Sequence, residues 1–228
     1  MAKFSKIIRQ NNENLLIKNF IKIFKHTLNK RLKKSKRFSF VLTGGESPIK
    51  LYKKIAKIKN ISWDKIDFFI GDERYLKETS KYSNFNMCKK YLLNKLKIPS
   101  YQVFKIPTDG QNIKSDVLKY EKILKKYFRN KSINFDLLLL GIGYDGHIAS
   151  LFKDNISIKN NKIVTYAKRK DFSRITLTLR SINNSNLIFL WSPGKKKLKL
   201  IKKILLDKKK NYPVSYIRKK NNFLFYSD

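Results

Sequence analysis

The sequence predicts an α/β fold, in which one domain is built on a mostly parallel, twisted sheet flanked by helices. Short apolar runs typical of buried strands alternate with longer segments whose apolar residues recur every three or four positions, as in amphipathic helices. Two of the apolar runs end in glycine-rich turns, as a strand does before it passes into a helix. Residues 1–228 contain no linker-like stretch and no internal repeat, so we expect a single domain.

The first half of the chain predicts a helix followed by alternating strands and helices. From about Asn12 to Leu32, apolar residues recur at helical spacing, and Phe38–Leu42 is a short apolar run typical of a strand. A second helix is expected to begin with Ser47 as its N-cap and Pro48 at its first position. The elements that follow are strand Ile66–Ile70, helix Phe85–Leu96, strand Val103–Ile106 and helix Ile113–Phe128.

The second half of the chain continues the alternation. Phe135–Leu140 is almost entirely apolar, as a strand buried on both faces requires. The later elements are strands Lys162–Tyr166, Ile175–Leu179 and Leu187–Trp191, helix Lys195–Leu206 and strand Phe223–Tyr226. Strands that alternate with helices are joined by right-handed crossovers, which give a mostly parallel sheet.

A formal net charge of +37 is typical of proteins that bind nucleic acid or anionic membranes. The distribution of the charge argues against such a role. Lysine supplies 44 of the 53 basic residues, and the lysines are scattered from Lys3 to Lys220 instead of forming one stripe. Lysine codons are rich in A and T, so the base composition of the genome accounts for the excess. We expect no specific nucleic-acid partner, only weak, salt-dependent attraction to polyanions.

Cysteine content and hydropathy restrict the chain further. Cys88 is the single cysteine, which excludes an intrachain disulfide and a cysteine-based zinc cage. The two histidines lie far apart in the sequence, so we expect no metal site. No run approaches the roughly 20 apolar residues that span a bilayer. We therefore expect a soluble cytoplasmic protein with no membrane partner, either a monomer or a weak dimer.

Five of the eight glycines lie in two loops, each directly after a predicted strand. They are Gly44, Gly45, Gly141, Gly143 and Gly146. Open α/β sheets bind ligands at the carboxyl ends of their strands, and glycine lets the backbone approach a ligand closely. The backbone N–H groups between residues 44 and 47 offer a site for a phosphate monoester. Glycine also shortens ordinary turns, so one such loop leaves a structural role open, whereas two favour a binding site.

His147 lies in the second glycine loop beside Asp145, where we expect the loop to pass into a helix. An imidazole can take a proton from water near neutral pH, and an adjacent carboxylate can fix its tautomer. His26, between Lys25 and Thr27 in the N-terminal helix, is expected to be structural. His147 is therefore the candidate general base.

Charged residues beside other predicted strands extend this candidate site. Asp72, Glu73 and Arg74 follow the Ile66–Ile70 strand, although an ordinary ion-paired loop would have the same sequence. Arg174 and Lys197 offer further positive charge, which is weak evidence in a lysine-rich chain. No serine nucleophile elbow is present, so any hydrolysis is expected to use water directly.

Several segments together resemble the signatures of the 6-phosphogluconolactonase family. Residues 135–152 are similar to its pattern FDLxLLGxGxDGHTASLFP, and residues 42–48 resemble its phosphate loop, LSGGSTP. Residues 68–74 resemble its FFxxDER segment. Residues 174–178 and 194–197 resemble its RxTLT and GxxK elements. The order and spacing of these segments cover nearly the whole chain.

Some positions depart from the family pattern. Ile148 replaces its threonine, Lys153 its proline and Glu46 the serine of its phosphate loop. Ile148 brings the chain nearer to the related glucosamine-6-phosphate deaminases, whose loop is GHIAFNEP. Those enzymes require a glutamate shortly after the histidine, where this chain has the segment Ser150–Phe152. They also carry tyrosine where this chain has Arg74, so the lactonase is the favoured interpretation.

The resemblance implies a Rossmann-like domain of the sugar-phosphate isomerase type. Its expected reaction is hydrolysis of 6-phospho-D-glucono-1,5-lactone to 6-phosphogluconate, the second step of the oxidative pentose phosphate pathway, with water and without a cofactor. His147 would act as general base on the water, while Asp145 and Asp72 orient His147 or the sugar hydroxyls. The residues expected to hold the phosphate or the developing negative charge are Gly44, Gly45, Ser47, Arg74, Arg174 and Lys197.

Two other functions are kept as alternatives. The first is a deaminase or isomerase from the same superfamily, which would release ammonia from glucosamine 6-phosphate. The second is a basic nucleic-acid-binding protein, whose affinity would fall steeply with salt and would not depend on His147.

Overall fold

The computed structural model describes residues 4–110, 112–155, 161–208, 211–218 and 220–228. The strands are β1 (Lys6–Gln10), β2 (Phe38–Leu42), β3 (Ile66–Ile70), β4 (Asp72–Arg74), β5 (Val103–Phe104), β6 (Leu137–Gly141), β7 (Val164–Ala167), β8 (Arg174–Leu177), β9 (Ile188–Ser192) and β10 (Asn222–Ser227). The α-helices are α1 (Glu13–Leu32), α2 (Ile49–Ile55), α3 (Asn84–Cys88), α4 (Ile113–Tyr127), α5 (Leu179–Asn183) and α6 (Leu198–Leu206).

Seven strands form one sheet in the order β1-β10-β9-β6-β2-β3-β5. Every pairing in this sheet is parallel, which confirms the predicted α/β class and the mostly parallel sheet. The chain builds outward from β2 through β3 to β5, then returns to place β6 on the other side of β2. The next strand of this sheet after β6 is β9, on the side away from β3, so the strand order reverses between β2 and β6, and a crevice is expected between the carboxyl ends of these two strands.

Aromatic side chains join α1 and α4 to opposite faces of the sheet. On one face, Phe24 of α1 lies 5.4 Å, centroid to centroid, from Phe40 in β2. On the other face, Tyr127 of α4 lies 4.8 Å from Phe69 in β3. Residues 40 and 69 occupy alternate positions in two strands paired in register, so their side chains point to opposite faces. Among the described residues, no helix is long and apolar enough to cross a membrane.

A second, antiparallel sheet in the order β4-β8-β7 lies next to the carboxyl end of β3. Gly71 alone separates β3 from β4, and its carbonyl accepts a hydrogen bond of 2.9 Å from the Leu177 amide in β8. The sequence did not predict this sheet, because β4 is only three residues long and its residues, Asp-Glu-Arg, are typical of a loop. Its position carries Asp72 and Arg74 from the strand tip toward the crevice.

The structure confirms most predicted elements with small shifts at their ends. The helix expected over Phe85–Leu96 is an exception, since α3 ends at Cys88 and Lys89–Leu93 forms a π-helical turn. β1 and α5 were missed. β1 is largely exposed and polar at both ends, unlike the buried apolar strands, and α5 is too short to show a helical repeat. The residues expected to end the Ile175–Leu179 strand instead begin α5, where the Thr178 hydroxyl caps the helix by accepting from the Ser181 amide at 3.3 Å.

Candidate active site

The crevice between β2 and β6 opens into a cavity of about 1180 Å³. Eight of the nine predicted site residues line it: Gly44, Gly45, Ser47, Asp72, Arg74, His147, Arg174 and Lys197. Asp145 does not line the cavity but lies behind His147, in contact with it. The turn after β2, the loop after β6 and the second sheet thus contribute side chains to one space.

The turn after β2 presents unpaired backbone donors to this cavity. Within the described parts of the chain, the N–H groups of residues 44–47 donate to no protein acceptor. Gly45 adopts a φ of +81°, which favours glycine. At Gly44, an added Cβ would lie 1.9 Å from Cγ of Asn84, so no larger residue fits. The backbone conformation therefore suits an anion.

The predicted role of Ser47 as an N-cap is wrong. Pro48 occupies the cap position of α2 in helical conformation, and no side chain caps the helix. The Ile49 amide bonds to the Glu46 carbonyl at 3.1 Å, so the chain turns before it reaches Pro48. The Ser47 carbonyl instead accepts a hydrogen bond of 3.0 Å from the indole N–H of Trp191.

Tyr52 of α2 fixes the strand end from which this turn begins. Its hydroxyl accepts from the Thr43 amide at 3.0 Å and donates to the Thr43 carbonyl at 2.8 Å, so one phenol satisfies both backbone groups. The Thr43 hydroxyl in turn accepts from the Gly141 amide at 3.1 Å. These three hydrogen bonds tie the turn after β2 to the start of the histidine loop. Burial raises the pKa of Tyr52 well above its ordinary value, so the phenol stays protonated.

His147 is held by Asp145. Its Nδ1 lies 2.5 Å from Oδ1 of Asp145, and its backbone amide donates to the same oxygen at 3.1 Å. Burial raises the pKa of Asp145, but the amide hydrogen bond and the histidine charge outweigh burial and bring this pKa below its ordinary value. An ionised carboxylate only accepts, so Nδ1 carries the proton and Nε2 keeps its lone pair. The geometry therefore suits a proton acceptor.

The loop around His147 is irregular, so the expected passage into a helix is wrong. Isolated bridges, Ile142 with Ile148 and Ile148 with Leu151, replace helical bonding. The imidazole lies directly on Gly143, where an added Cβ would be 2.1 Å from Nδ1. Ala149 has a φ of +47°, a conformation that L-residues seldom adopt. The loop therefore follows a path that local helical propensity could not have predicted.

Asp72 and Glu73 face different surroundings because neighbouring residues of a strand point to opposite sides. Asp72 lines the cavity and accepts from the Ser150 hydroxyl at 2.7 Å. Burial raises its pKa, while that hydrogen bond and the nearby cations oppose the rise. Glu73 points away and accepts from the Asn84 and Phe85 amides, both at 2.7 Å, at the start of α3. Burial raises the pKa of Glu73 to about 7, and its role is structural.

The three predicted cations differ in availability. Arg174 is already engaged, because it forms a two-pronged ion pair with Asp171 at 2.9 and 2.6 Å, which lowers the pKa of Asp171. Arg74 donates to the Tyr82 carbonyl at 2.7 Å. Lys197 donates to the Ile142 carbonyl, and burial lowers its pKa. Across the described residues, neither Arg74 nor Lys197 forms an ion pair with a carboxylate, so both retain charge for an anion.

Sequence reasoning missed two residues that shape the site. The Phe152 ring lies 4.5 Å, centroid to centroid, from the imidazole of His147 and limits its rotation. Asn84 is 4% exposed and lines the cavity, and its Nδ2 donates to the Asp72 carbonyl at 2.8 Å. Its Oδ1 has no partner in the part of the chain that is described. Phe152 lies inside the recognised motif, whereas nothing in the sequence sets Asn84 apart.

The cavity lining offers backbone amides and basic side chains, which are donors that suit an anion. Among the described residues, no cluster of three or more histidine, cysteine or carboxylate side chains is arranged to hold a metal ion. Glu46 also borders the cavity, so an acid lies in the same wall as the unpaired amides.

Comparison with known proteins agrees with this geometry. A family model described as glucosamine-6-phosphate isomerases/6-phosphogluconolactonase matches residues 11–226. The 6-phosphogluconolactonase of Thermotoga maritima is 33% identical over 204 residues, covering 87% of this chain and 88% of that protein. The Nostoc 6-phosphogluconolactonase is 29% identical over 223 residues, covering 95% and 92%.

Solved structures show the same fold. The crystal structure of the Thermotoga maritima 6-phosphogluconolactonase has a TM-score of 0.84 at 30% identity and covers 97% of this chain and 99% of that one. The Trypanosoma brucei 6-phosphogluconolactonase has a TM-score of 0.82 at 22% identity and covers 100% and 97%. The Trypanosoma likeness supports the fold alone.

The clamp on Thr43 has a measurable energetic consequence. Replacing Tyr52 with Phe leaves the buried Thr43 amide without its partner, which typically costs about 1–3 kcal/mol of the free energy of unfolding. Urea denaturation of Tyr52→Phe measures that loss. The matched control is Tyr101→Phe, because Tyr101 is 76% exposed and its hydroxyl makes no hydrogen bond to any of the described residues. Equal stability of the two variants would contradict the clamp.

Proposed function

The chain belongs to the family of glucosamine-6-phosphate isomerases and 6-phosphogluconolactonases, and on that premise we propose that its cavity hydrolyses 6-phospho-D-glucono-1,5-lactone to 6-phospho-D-gluconate, with His147 activating the water. One observation carries the proposal. The imidazole held by Asp145 and the unpaired amides of residues 44–47 line the same cavity. A sugar phosphate has an anion for the amides and an ester carbon for the activated water.

His147 begins the reaction by taking a proton from water through Nε2. The resulting hydroxide attacks the lactone carbonyl carbon, and the bond from that carbon to the ring oxygen then breaks. The imidazolium returns its proton to the departing ring oxygen, which becomes a hydroxyl group. Asp145 stabilises the positive charge that His147 carries between the two transfers, because its carboxylate remains ionised at 2.5 Å from Nδ1.

The phosphate group binds at the other end of the cavity, to the backbone amides of residues 44–47. Arg74 and Lys197 supply the positive charge, since neither is neutralised by a described carboxylate. Arg174 has a different part. Its guanidinium is held by Asp171 and lies 5.7 Å from the centre of the Phe152 ring, so it braces the wall behind His147. Asp72, fixed by Ser150, is placed to orient His147 or a sugar hydroxyl.

The direct test is a coupled assay in which glucose-6-phosphate dehydrogenase makes the lactone in situ. We expect the protein to remove the lactone faster than spontaneous hydrolysis does. A parallel reaction with glucosamine 6-phosphate tests for ammonia release, and we expect none, because Ser150–Phe152 places no glutamate after the histidine. Ammonia release without lactone hydrolysis would overturn the proposal in favour of a deaminase.

Replacing His147 with Ala should lower kcat by about 10²- to 10⁴-fold, the range typical for loss of a general base. The variant should retain its fold, because His147 lies in a loop at the edge of the cavity. His26→Ala is the matched control, since His26 is exposed on α1 and distant in sequence from the site. Steady-state lactone turnover measures both variants. Wild-type turnover in His147→Ala would refute the assignment.

Substrate affinity should fall at alkaline pH through Lys197. Burial lowers the pKa of this lysine below its ordinary value, so its charge is lost earlier than that of an exposed lysine as the pH rises. The stable product 6-phosphogluconate, a phosphate dianion above about pH 7, serves as the probe. From about pH 7 to about pH 10 we expect calorimetric affinity to fall by about tenfold or more, as loss of a charged hydrogen bond implies.

Two variants at this position complete the pH experiment. Lys197→Arg keeps its charge throughout this range, so the alkaline decline should be much shallower. Lys197→Met carries no charge, so its affinity should be low at every pH. An alkaline decline in Lys197→Met as steep as in the wild type would show that another group is responsible.

A further inference from the structure

Tyr144 is an exposed aromatic residue inside the histidine loop. It lies between Gly143 and Asp145, lines the cavity and keeps 68% of its surface accessible. Its hydroxyl makes no hydrogen bond to any of the described residues. Packing in the core and hydrogen bonding therefore leave this side chain unexplained, although it stands next to the carboxylate that holds His147.

The ring of Tyr144 lies close to the ammonium group of Lys197, which reaches the loop from the turn after Gly194. Its Nζ lies 5.1 Å from the centre of the Tyr144 ring, within the range of a cation–π contact. The same Nζ donates to the backbone carbonyl of Ile142, two residues earlier in the loop. Two anchors from one short loop thus hold one ammonium group at the cavity wall.

An ammonium group has three N–H bonds. In Lys197, the Ile142 carbonyl takes one of them and the face of Tyr144 covers another direction. One N–H remains, and no carboxylate among the described residues pairs with it. Without the ring, the flexible lysine side chain would let the ammonium group point in several directions. Binding an anion would then fix it in one of them, at a cost in conformational entropy.

We propose that Tyr144 is a positioning residue, whose ring holds the Lys197 ammonium so that its remaining N–H points at an oxygen of the bound sugar phosphate. The inference rests on the proposed function, because it needs a phosphate in this cavity. Tyr144 acts through Lys197 and through its ring face, so its hydroxyl is dispensable. The effect falls on affinity, since Lys197 holds the phosphate and does not touch the reacting carbon.

Three substitutions separate the ring from its bulk and its hydroxyl. Titration calorimetry with 6-phosphogluconate and lactone kinetics are measured for Tyr144→Phe, Tyr144→Leu and Tyr144→Ala. We expect Phe to bind as the wild type does, while Leu and Ala bind about 2- to 5-fold more weakly, the range of an exposed cation–π contact. KM should rise by the same factor and kcat should not. Tyr101→Leu, at another exposed tyrosine, controls for general effects of the change.

Each other result overturns the inference. If Tyr144→Leu binds 6-phosphogluconate as tightly as Tyr144→Phe does, the size of the side chain accounts for its effect and the aromatic ring is not required. If Tyr144→Phe binds as weakly as Tyr144→Ala, the effect belongs to the hydroxyl. If all three variants bind with wild-type affinity, Tyr144 has no role in binding. A fall in kcat with unchanged KM would place Tyr144 in the chemistry through Asp145.

A double variant tests whether Tyr144 works through the lysine. With Lys197→Met in place, Tyr144→Leu should cause no further loss of affinity. A full additional loss would mean that the ring contacts the sugar directly, which contradicts the inference. The wild type separates this failure from a failure of the proposed function. If it neither binds 6-phosphogluconate nor hydrolyses the lactone, the function itself is wrong, whereas normal wild-type binding with unaffected Tyr144 variants rejects only the role of Tyr144.

Discussion

The reversal of strand order between β2 and β6 is the constraint on which the site depends. Within the seven-stranded sheet, β2 is followed by β3 on one side and β6 is followed by β9 on the other, and open α/β sheets bind ligands where the strand order reverses in this way. The turn after β2 and the loop after β6 both enter the space between these strand ends. Thr43 joins them, because its hydroxyl accepts a hydrogen bond of 3.1 Å from the Gly141 amide, which links the start of the turn to the start of the histidine loop.

The charged groups at the site differ in whether they already have partners within the protein. A protein with a formal charge of +37 has lysines throughout its sequence, so a basic residue near a cavity is weak evidence for a binding role by itself. Arg174 lines the cavity but is neutralised by Asp171, while Arg74 and Lys197 bond only to carbonyl oxygens within the described residues. The carboxylates also have different partners, since Asp145 bonds to His147 and Glu73 accepts from a backbone amide at the start of α3. Hydrogen bonding therefore decides which charges are available to a substrate.

Much of the fold and the position of the candidate site could be predicted from the sequence, because apolar runs and glycine clusters are local signals. β2 and β3 have the predicted bounds, and the two glycine loops lie at strand ends as expected. Features set by distant contacts could not be predicted. β4 exists because β8 pairs with it, and Asn84 reaches the cavity because Glu73 fixes the start of α3. The irregular path of the chain after His147 depends on packing that no local sequence pattern encodes. The sequence pattern alone therefore wrongly predicted a helix there.

The geometry of catalysis is tested most directly by a crystal structure of the protein with 6-phosphogluconate. We expect the phosphate oxygens about 3 Å from the amide nitrogens of residues 44–47. We expect the carboxylate carbon of the product to lie close enough to Nε2 of His147 for a single water molecule to fit between them. A phosphate bound away from that turn, or a sugar whose carboxylate lies on the far side of the cavity from His147, would contradict the mechanism.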